Sequence, residues 1–236
     1  LESIDIQTRG LLVYHETGTG KSMVISSIAM DIIENGSKYK VIFLLSKSLH
    51  QNLRGAIKKY IILRSKSDPT YHLGLLSSTE IDAWIDEHFN FVSLNASNML
   101  AQLNEATIDY KLNAILEDSL EGTAIFIDEA QNLFRSITNG SKNSVDFYEM
   151  VMKTKNMRIF FFSGTPINSS PFETVPCFNM LSGSRNTLPE DYRDFTRLFV
   201  DESGLIKNKD KFQNRIFGLV SVAKRDSTFG KAIGYK

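Results

Sequence analysis

The chain has 236 residues, 42% of them hydrophobic, with 27 lysines and arginines matched by 27 aspartates and glutamates. That composition supports one substantial core, or one core with an appendage, and no run of 18 apolar residues is present to make a membrane-spanning helix. A single cysteine, Cys177, excludes an internal disulfide framework and suits a reducing intracellular compartment, while four histidines and one cysteine give no zinc-site spacing.

Leu1-Glu2-Ser3 is neither an initiator methionine nor a signal peptide, so a domain cut from a longer chain is expected. Residues 11–15 form an apolar strand that runs into a glycine-rich turn, and residues 21–35 form the amphipathic helix beyond it, closed by Gly36. In the turn, Gly18 and Gly20 let consecutive backbone N–H groups face an anion at a helix start. The loop His15, Glu16, Thr17, Gly18, Thr19, Gly20, Lys21, Ser22 then reads as a phosphate cradle. In such a cradle the lysine reaches the β- and γ-phosphates of a nucleotide and the hydroxyl ligates Mg²⁺. The pattern G-x-x-x-x-G-K-[ST] is incomplete, because His15 stands at its first glycine. A chance Gly-Lys-Ser turn is the alternative.

A strand is expected at 41–46 and a helix at 49–61, with Leu49, Leu53, Ile57 and Tyr60 on one face and Arg54, Lys58 and Lys59 largely outside. Residues 37–67 carry eight bases and no acid, and residues 70–122 carry nine acids against Lys111 alone. The basic stretch is either a track for a nucleic-acid backbone, since cations release condensed counterions, or a solvated helix face. Ser77 to Glu80 has the form of a capping box opening a helix at 79–88. A strand at 90–94 and a helix at 96–105 follow. The strand at 123–127 ends in Asp128 and Glu129, which lead into a helix at 129–136. At the carboxyl edge of a parallel sheet, Asp128 can hold the Mg²⁺ shell and Glu129 can orient or deprotonate an attacking water. Adjacent carboxylates also occur as an ordinary solvated helix start.

Residues 139–144 read as an exposed loop, 144–154 as a helix, and 158–163 as a strand ending in Ser163, Gly164, Thr165 and Pro166. Strands alternating with helices define an α/β fold with a mainly parallel sheet covered on both faces. The expected organisation is a lobe over 1–168 and a mostly helical extension over 169–236, which is too short for a second lobe. Phe172, Phe178, Phe195 and Phe199 suit core packing better than base stacking, and Cys177 suits a small core position.

Taken in order, the three strand ends resemble motifs I, II and III of superfamily 2 helicases and translocases. The segment from Ser163 to Pro166 resembles the Swi/Snf branch more than the DEAD-box proteins. Residues 41–52 look like motif Ia. Residues 91–99 and 213–221 are similar to the helicase-like ATPases of large cytoplasmic DNA viruses, including poxvirus, asfarvirus and giant-virus members. This resemblance implies a RecA-like P-loop lobe that binds ATP and Mg²⁺. Lys21 and Glu129 are then catalytic, Ser22 and Asp128 bind metal, and Gln131, Ser163, Gly164 and Thr165 couple nucleotide state to closure. Ser46, Lys47, Ser48, Arg54 and Lys58 face a DNA or RNA backbone. The implied partners are a second RecA-like lobe of the same parent, which supplies an arginine finger, and viral transcription machinery, in the virion and host cytoplasm. Isolated from that lobe, weak turnover is expected. Two other functions stay open. One is a P-loop kinase or metabolic NTPase, which leaves the segment after Phe162 without a purpose. The other is a non-catalytic module of a viral transcription complex.

Overall fold

The computed structural model describes residues 9–16, 18–36, 38–107, 120–165, 170–183 and 187–223. One sheet contains β1 (Gly10–His15), β2 (Lys40–Leu45), β3 (Phe89–Ser93), β4 (Thr123–Asp128), β5 (Arg158–Ser163) and β6 (Val220–Ala223). All pairings are parallel, in the order β3-β2-β4-β5-β1-β6. The strands are continuous apolar runs because both faces are covered, as in parallel sheets generally. Their side chains alternate between two cores. Ala124 and Phe126 of β4 pack with α1 (Lys21–Glu34), α2 (His50–Ser67) and α3 (Ser78–His88). Ile125 and Ile127 pack on the opposite face with α4 (Met99–Thr107), α5 (Gln131–Thr138) and α6 (Lys142–Lys153).

Local chemistry sets the helix ends. The Ser77–Glu80 capping box forms: Ser77 Oγ accepts from the Glu80 N–H at 3.3 Å, and Glu80 Oε2 accepts from the Ser77 N–H at 2.7 Å. Gly36 takes the left-handed conformation just beyond α1, at φ 65°. Helix α2 runs six residues past its expected end at 61. Its last turns are held by tertiary contacts, with Arg64 pairing to Glu34 and lying 4.7 Å from the Tyr71 ring centre.

After β5 the chain forms α7 (Thr174–Ser182), α8 (Tyr192–Phe199) and α9 (Lys209–Ile216). Phe178, Phe195 and Phe199 are buried there. Phe212 sits 5.7 Å from Phe199 and 6.2 Å from Phe178, ring centre to ring centre. Asn179 is fully buried, donating to the Leu188 carbonyl at 3.0 Å and accepting from its N–H at 2.7 Å. Among the described residues, the extension beyond residue 168 holds three α-helices and one strand. β6 returns to the sheet and pairs with β1, so the segment completes the lobe instead of leaving it. β6 has only four residues, too few for a strand pattern to stand out in sequence. Among the described residues no helix is long and apolar enough to cross a membrane.

Phe126 anchors the α1–α3 face. It is 1% exposed, with ring centres of Phe160, Phe43 and Phe162 at 4.8, 5.4 and 6.2 Å. Phe126→Ala should destabilise the protein by about 3–5 kcal/mol, read as a lower urea midpoint at unchanged slope.

Candidate nucleotide-binding site

The sheet order brings the carboxyl ends of β4, β5 and β1 side by side, and the three motifs lie on those ends. β1 delivers the glycine-rich loop, in which Gly18 and Gly20 have φ of 86° and 87°. A Cβ at either glycine would meet nothing within 4 Å, so the requirement is conformational, not spatial. Thr19 ties the loop to itself, its hydroxyl donating to the Glu16 carbonyl at 2.6 Å and its N–H to the same oxygen at 3.1 Å. Helix α1 begins at Lys21 and has no acid in its first turn. Its first N–H groups lack intrahelical acceptors, as at every helix start, and point toward the loop. The Ser22 side chain is exposed there, while Ser26 one turn on is buried and donates to the Ser22 carbonyl at 2.8 Å.

Lys21 Nζ lies 2.9 Å from Asp128 Oδ1 and 2.5 Å from Glu129 Oε1. The side chains of Lys21 and Asp128 are 17% and 13% exposed, so the pair is largely shielded from solvent. From Glu129 the polar contacts continue. Gln131 Nε2 donates to Glu129 Oε2 at 2.7 Å, and the Ser163 hydroxyl donates to Gln131 Oε1 at 2.5 Å. The Thr165 N–H donates to Ser163 Oγ at 3.0 Å. Gln131 and Ser163 are buried. One hydrogen-bonded line thus joins α1, β4, α5 and the turn after β5.

Burial alone pulls the Lys21 ammonium toward neutrality, but hydrogen bonds and charge from Glu129 and Asp128 outweigh it and leave the pKa raised. Burial likewise pushes the Glu129 carboxyl up, and donors Gln131 and Lys21 reverse this and leave it lowered. The contribution of Glu129 to stability is therefore present above the ordinary carboxylate pKa and lost as pH falls through its lowered value. That of Lys21 is present below the ordinary lysine pKa and lost as pH rises through its raised value. The stability difference between wild type and Lys21→Met should be largest across neutral pH and shrink at both extremes, measured by denaturant titration at a series of pH values.

Glu129 itself departs from expectation. The helix expected from 129 begins at Gln131, and Glu129 has a left-handed backbone with φ 52°. Its N–H donates to Asp128 Oδ1 at 3.0 Å, and the Ala130 N–H donates to the Phe162 carbonyl at 3.1 Å. These bonds hold a conformation that costs a non-glycine residue roughly 1–2 kcal/mol. Glu129→Gly should accordingly be about 1 kcal/mol more stable than Glu129→Ala, the reverse of the order in a helix interior. Thermal unfolding of the two variants measures this.

The remaining expected residues divide clearly. His15 pairs with Ala223 of β6, the Glu16 N–H donates to the Ala223 carbonyl at 3.3 Å, and His15 Nδ1 is buried without a hydrogen-bond partner among the described residues. Gly164 lies in the turn after β5, and Thr17 lies outside the described residues. Ser46, Lys47 and Ser48 follow β2 at the same sheet edge, with the Ser46 and Ser48 hydroxyls 3.1 Å apart and Lys47 exposed. Arg54 and Lys58 are not gathered with them. Arg54 pairs with Asp86 and covers the Phe91 ring at 4.7 Å, and Lys58 pairs with Asp82 at 2.7 Å. Both are spent joining α2 to α3. The role of β6 in fixing the phosphate loop was missed in sequence, for want of any local signal.

Fold and site together define the nucleotide-binding lobe of a helicase-like P-loop ATPase. Residues 1–168 match the family described as "Type III restriction enzyme, res subunit", and the chain belongs to that family. It is 37% identical over 230 residues to a protein named "Termination factor NPH-I homolog" of African swine fever virus (isolate Pig/Kenya/KEN-50/1950). That match covers 95% of this chain and 29% of the relative. It is 29% identical over 229 residues to a "Putative ATP-dependent RNA helicase R350" of Acanthamoeba polyphaga mimivirus, covering 89% of this chain and 26% of the relative. The chain therefore spans less than a third of the length of either relative. Among solved structures it is similar to the Sulfolobus solfataricus SWI2/SNF2 ATPase core in complex with dsDNA. The TM-score is 0.56 at 18% identity, over 95% of this chain and 41% of that one, a likeness of fold.

Proposed function

We propose that the chain is the first motor lobe of a nucleic-acid-dependent ATPase, a helicase or translocase, acting in viral transcription or replication. The observation that carries this reading is the convergence of Lys21, Asp128 and Glu129 at the head of α1, with Glu129 linked through Gln131 to Ser163. In this reading the phosphate loop and Lys21 hold the β- and γ-phosphates of ATP, and Glu129 orients the attacking water and accepts its proton. The exposed Ser22 hydroxyl and the Asp128 carboxylate are hard oxygen donors beside the loop, a set that fits Mg²⁺. When bound, that ion neutralises phosphate charge. Phosphate oxygens arriving at the loop compete for Lys21, loosening its hold on Glu129. Gln131 then carries any movement of Glu129 to Ser163 and Thr165 on the next strand. A kinase or metabolic NTPase has no need of that last link, which favours the motor. The second lobe, with its arginine finger, belongs to the rest of the parent chain, and the virion and host cytoplasm are the proposed location.

The test is steady-state Mg-ATP hydrolysis by the full-length protein with and without single-stranded DNA, duplex DNA and RNA. Stimulation by one polymer is expected and names the track. Glu129→Gln should keep ATP binding while slowing turnover by about 10²-fold or more, and Lys21→Ala should lose binding. Normal turnover by Glu129→Gln would move the base elsewhere.

A further inference from the structure

Arg54 and Lys58 on α2 are paired with acids of α3, whereas a second basic region has no such pairs among the described residues. From Lys207 to Arg215 the chain carries Lys207, Lys209, Lys211 and Arg215 against Asp210 alone. Among the described residues none of the three lysines makes an ion pair. Between α8 and α9 lies a cleft of about 440 Å³ lined by Leu198, Phe199, Asn208, Lys211, Asn214 and Arg215. Its polar side chains are two cations and two carboxamides, and no carboxylate of the described residues lines it.

The cleft is also held in shape. Arg215 is fixed on two sides: its Nη1 donates to the Thr187 carbonyl at 2.6 Å and its guanidinium lies 5.5 Å from the Phe199 ring centre. Its remaining donors are thereby pre-oriented, which lowers the entropy lost on capturing an anion. Asn208 joins the two helices, adopting φ 51° and donating to the Leu198 carbonyl at 2.6 Å. Lys211 and Asn214 are exposed one helical turn apart on the same face of α9.

We infer that the α8–α9 cleft, with Lys207 and Lys209 at its approach, is a second docking surface for the phosphodiester backbone of a nucleic acid. Fixed cations and amide donors match phosphate oxygens. The cleft offers no exposed ring on which a base could stack, since Phe199 is buried. The contact is therefore independent of sequence and strongly dependent on salt. This inference rests on the proposed motor function, because it gives that motor a grip remote from the strand ends.

The experiment compares the full-length protein with its Lys207→Ala/Lys209→Ala/Lys211→Ala variant. Binding of labelled single-stranded DNA, duplex DNA and RNA is followed by anisotropy across a salt series, and folding is checked by thermal unfolding. These lysines are exposed or half-exposed and outside the core, so the variant should melt as wild type does. The expected result is an affinity about tenfold or more weaker at low salt. The slope of log affinity against log salt should also be shallower by roughly two to three, about 0.9 per lost duplex contact. Unchanged affinity and slope, in a wild type whose hydrolysis is stimulated by nucleic acid, would overturn the docking surface alone. A wild type that neither binds nor responds to any nucleic acid would overturn the motor reading and this inference with it. Polyglutamate captured by wild type and lost by the variant, with nucleic-acid binding untouched, would assign the cleft to an acidic protein instead.

Discussion

Two carboxylates at the end of one buried strand repel each other, and the Lys21 ammonium, in contact with both, offsets that repulsion. That contact also fixes geometry. Lys21 starts α1 at the end of β1, whereas Asp128 ends β4, and β5 lies between them in the sheet. The lysine therefore reaches across the end of β5, where Ser163 sits below the same polar line. Parallel pairing sets three strand ends side by side, and a single charge with its linked hydrogen bonds ties their side chains together. The left-handed backbone of Glu129 belongs to the same constraint, turning its carboxylate back toward the loop before α5 can begin.

Much of this was legible in the sequence because the relevant signals are local. Strands buried on both faces are unbroken apolar runs, and five were placed within a residue or so of where they lie. Gly18, Gly20, Lys21, Ser22, Asp128 and Glu129 stand beside those runs and need no tertiary information to be noticed. What escaped was set at a distance. Arg54 and Lys58 look free in sequence, but their partners Asp86 and Asp82 lie 32 and 24 residues on. The conformation of Glu129 has no local sign either, since glycine or asparagine would be the usual occupant of a left-handed position. β6 is too short to declare itself, and only its pairing with β1 makes it a strand.

The neutral total charge is thus a sum of unlike parts. In the α2–α3 layer Arg54 and Lys58 of the basic run are matched with Asp86 and Asp82 of the acidic run that follows it, and these charges become a seam between helices. Partly exposed ion pairs of this kind contribute little stability each; their larger effect is to weaken the field that Arg54 and Lys58 would otherwise present. At α9, among the described residues, the lysines make no ion pair and Asp210 is the one acid against the four bases from Lys207 to Arg215, so the field persists. Local pairing, not composition, decides where such a molecule can attract a polyanion.

The pairing of β1 bears on how the molecule is made. β1 ends at His15, yet both of its neighbours follow far behind it: β5 begins at Arg158 and β6 at Val220. During synthesis the glycine loop emerges on a strand whose hydrogen-bonded neighbours are not yet made. β2 and β3 can pair with each other by residue 93, but β1 must wait for more than sixty further residues. Contacts of such sequence separation form slowly, and an unpaired apolar strand is prone to aggregate meanwhile. The ability to hold a phosphate is consequently one of the last properties this lobe acquires as it folds, although the residues of the glycine loop are translated well before the strands that flank them.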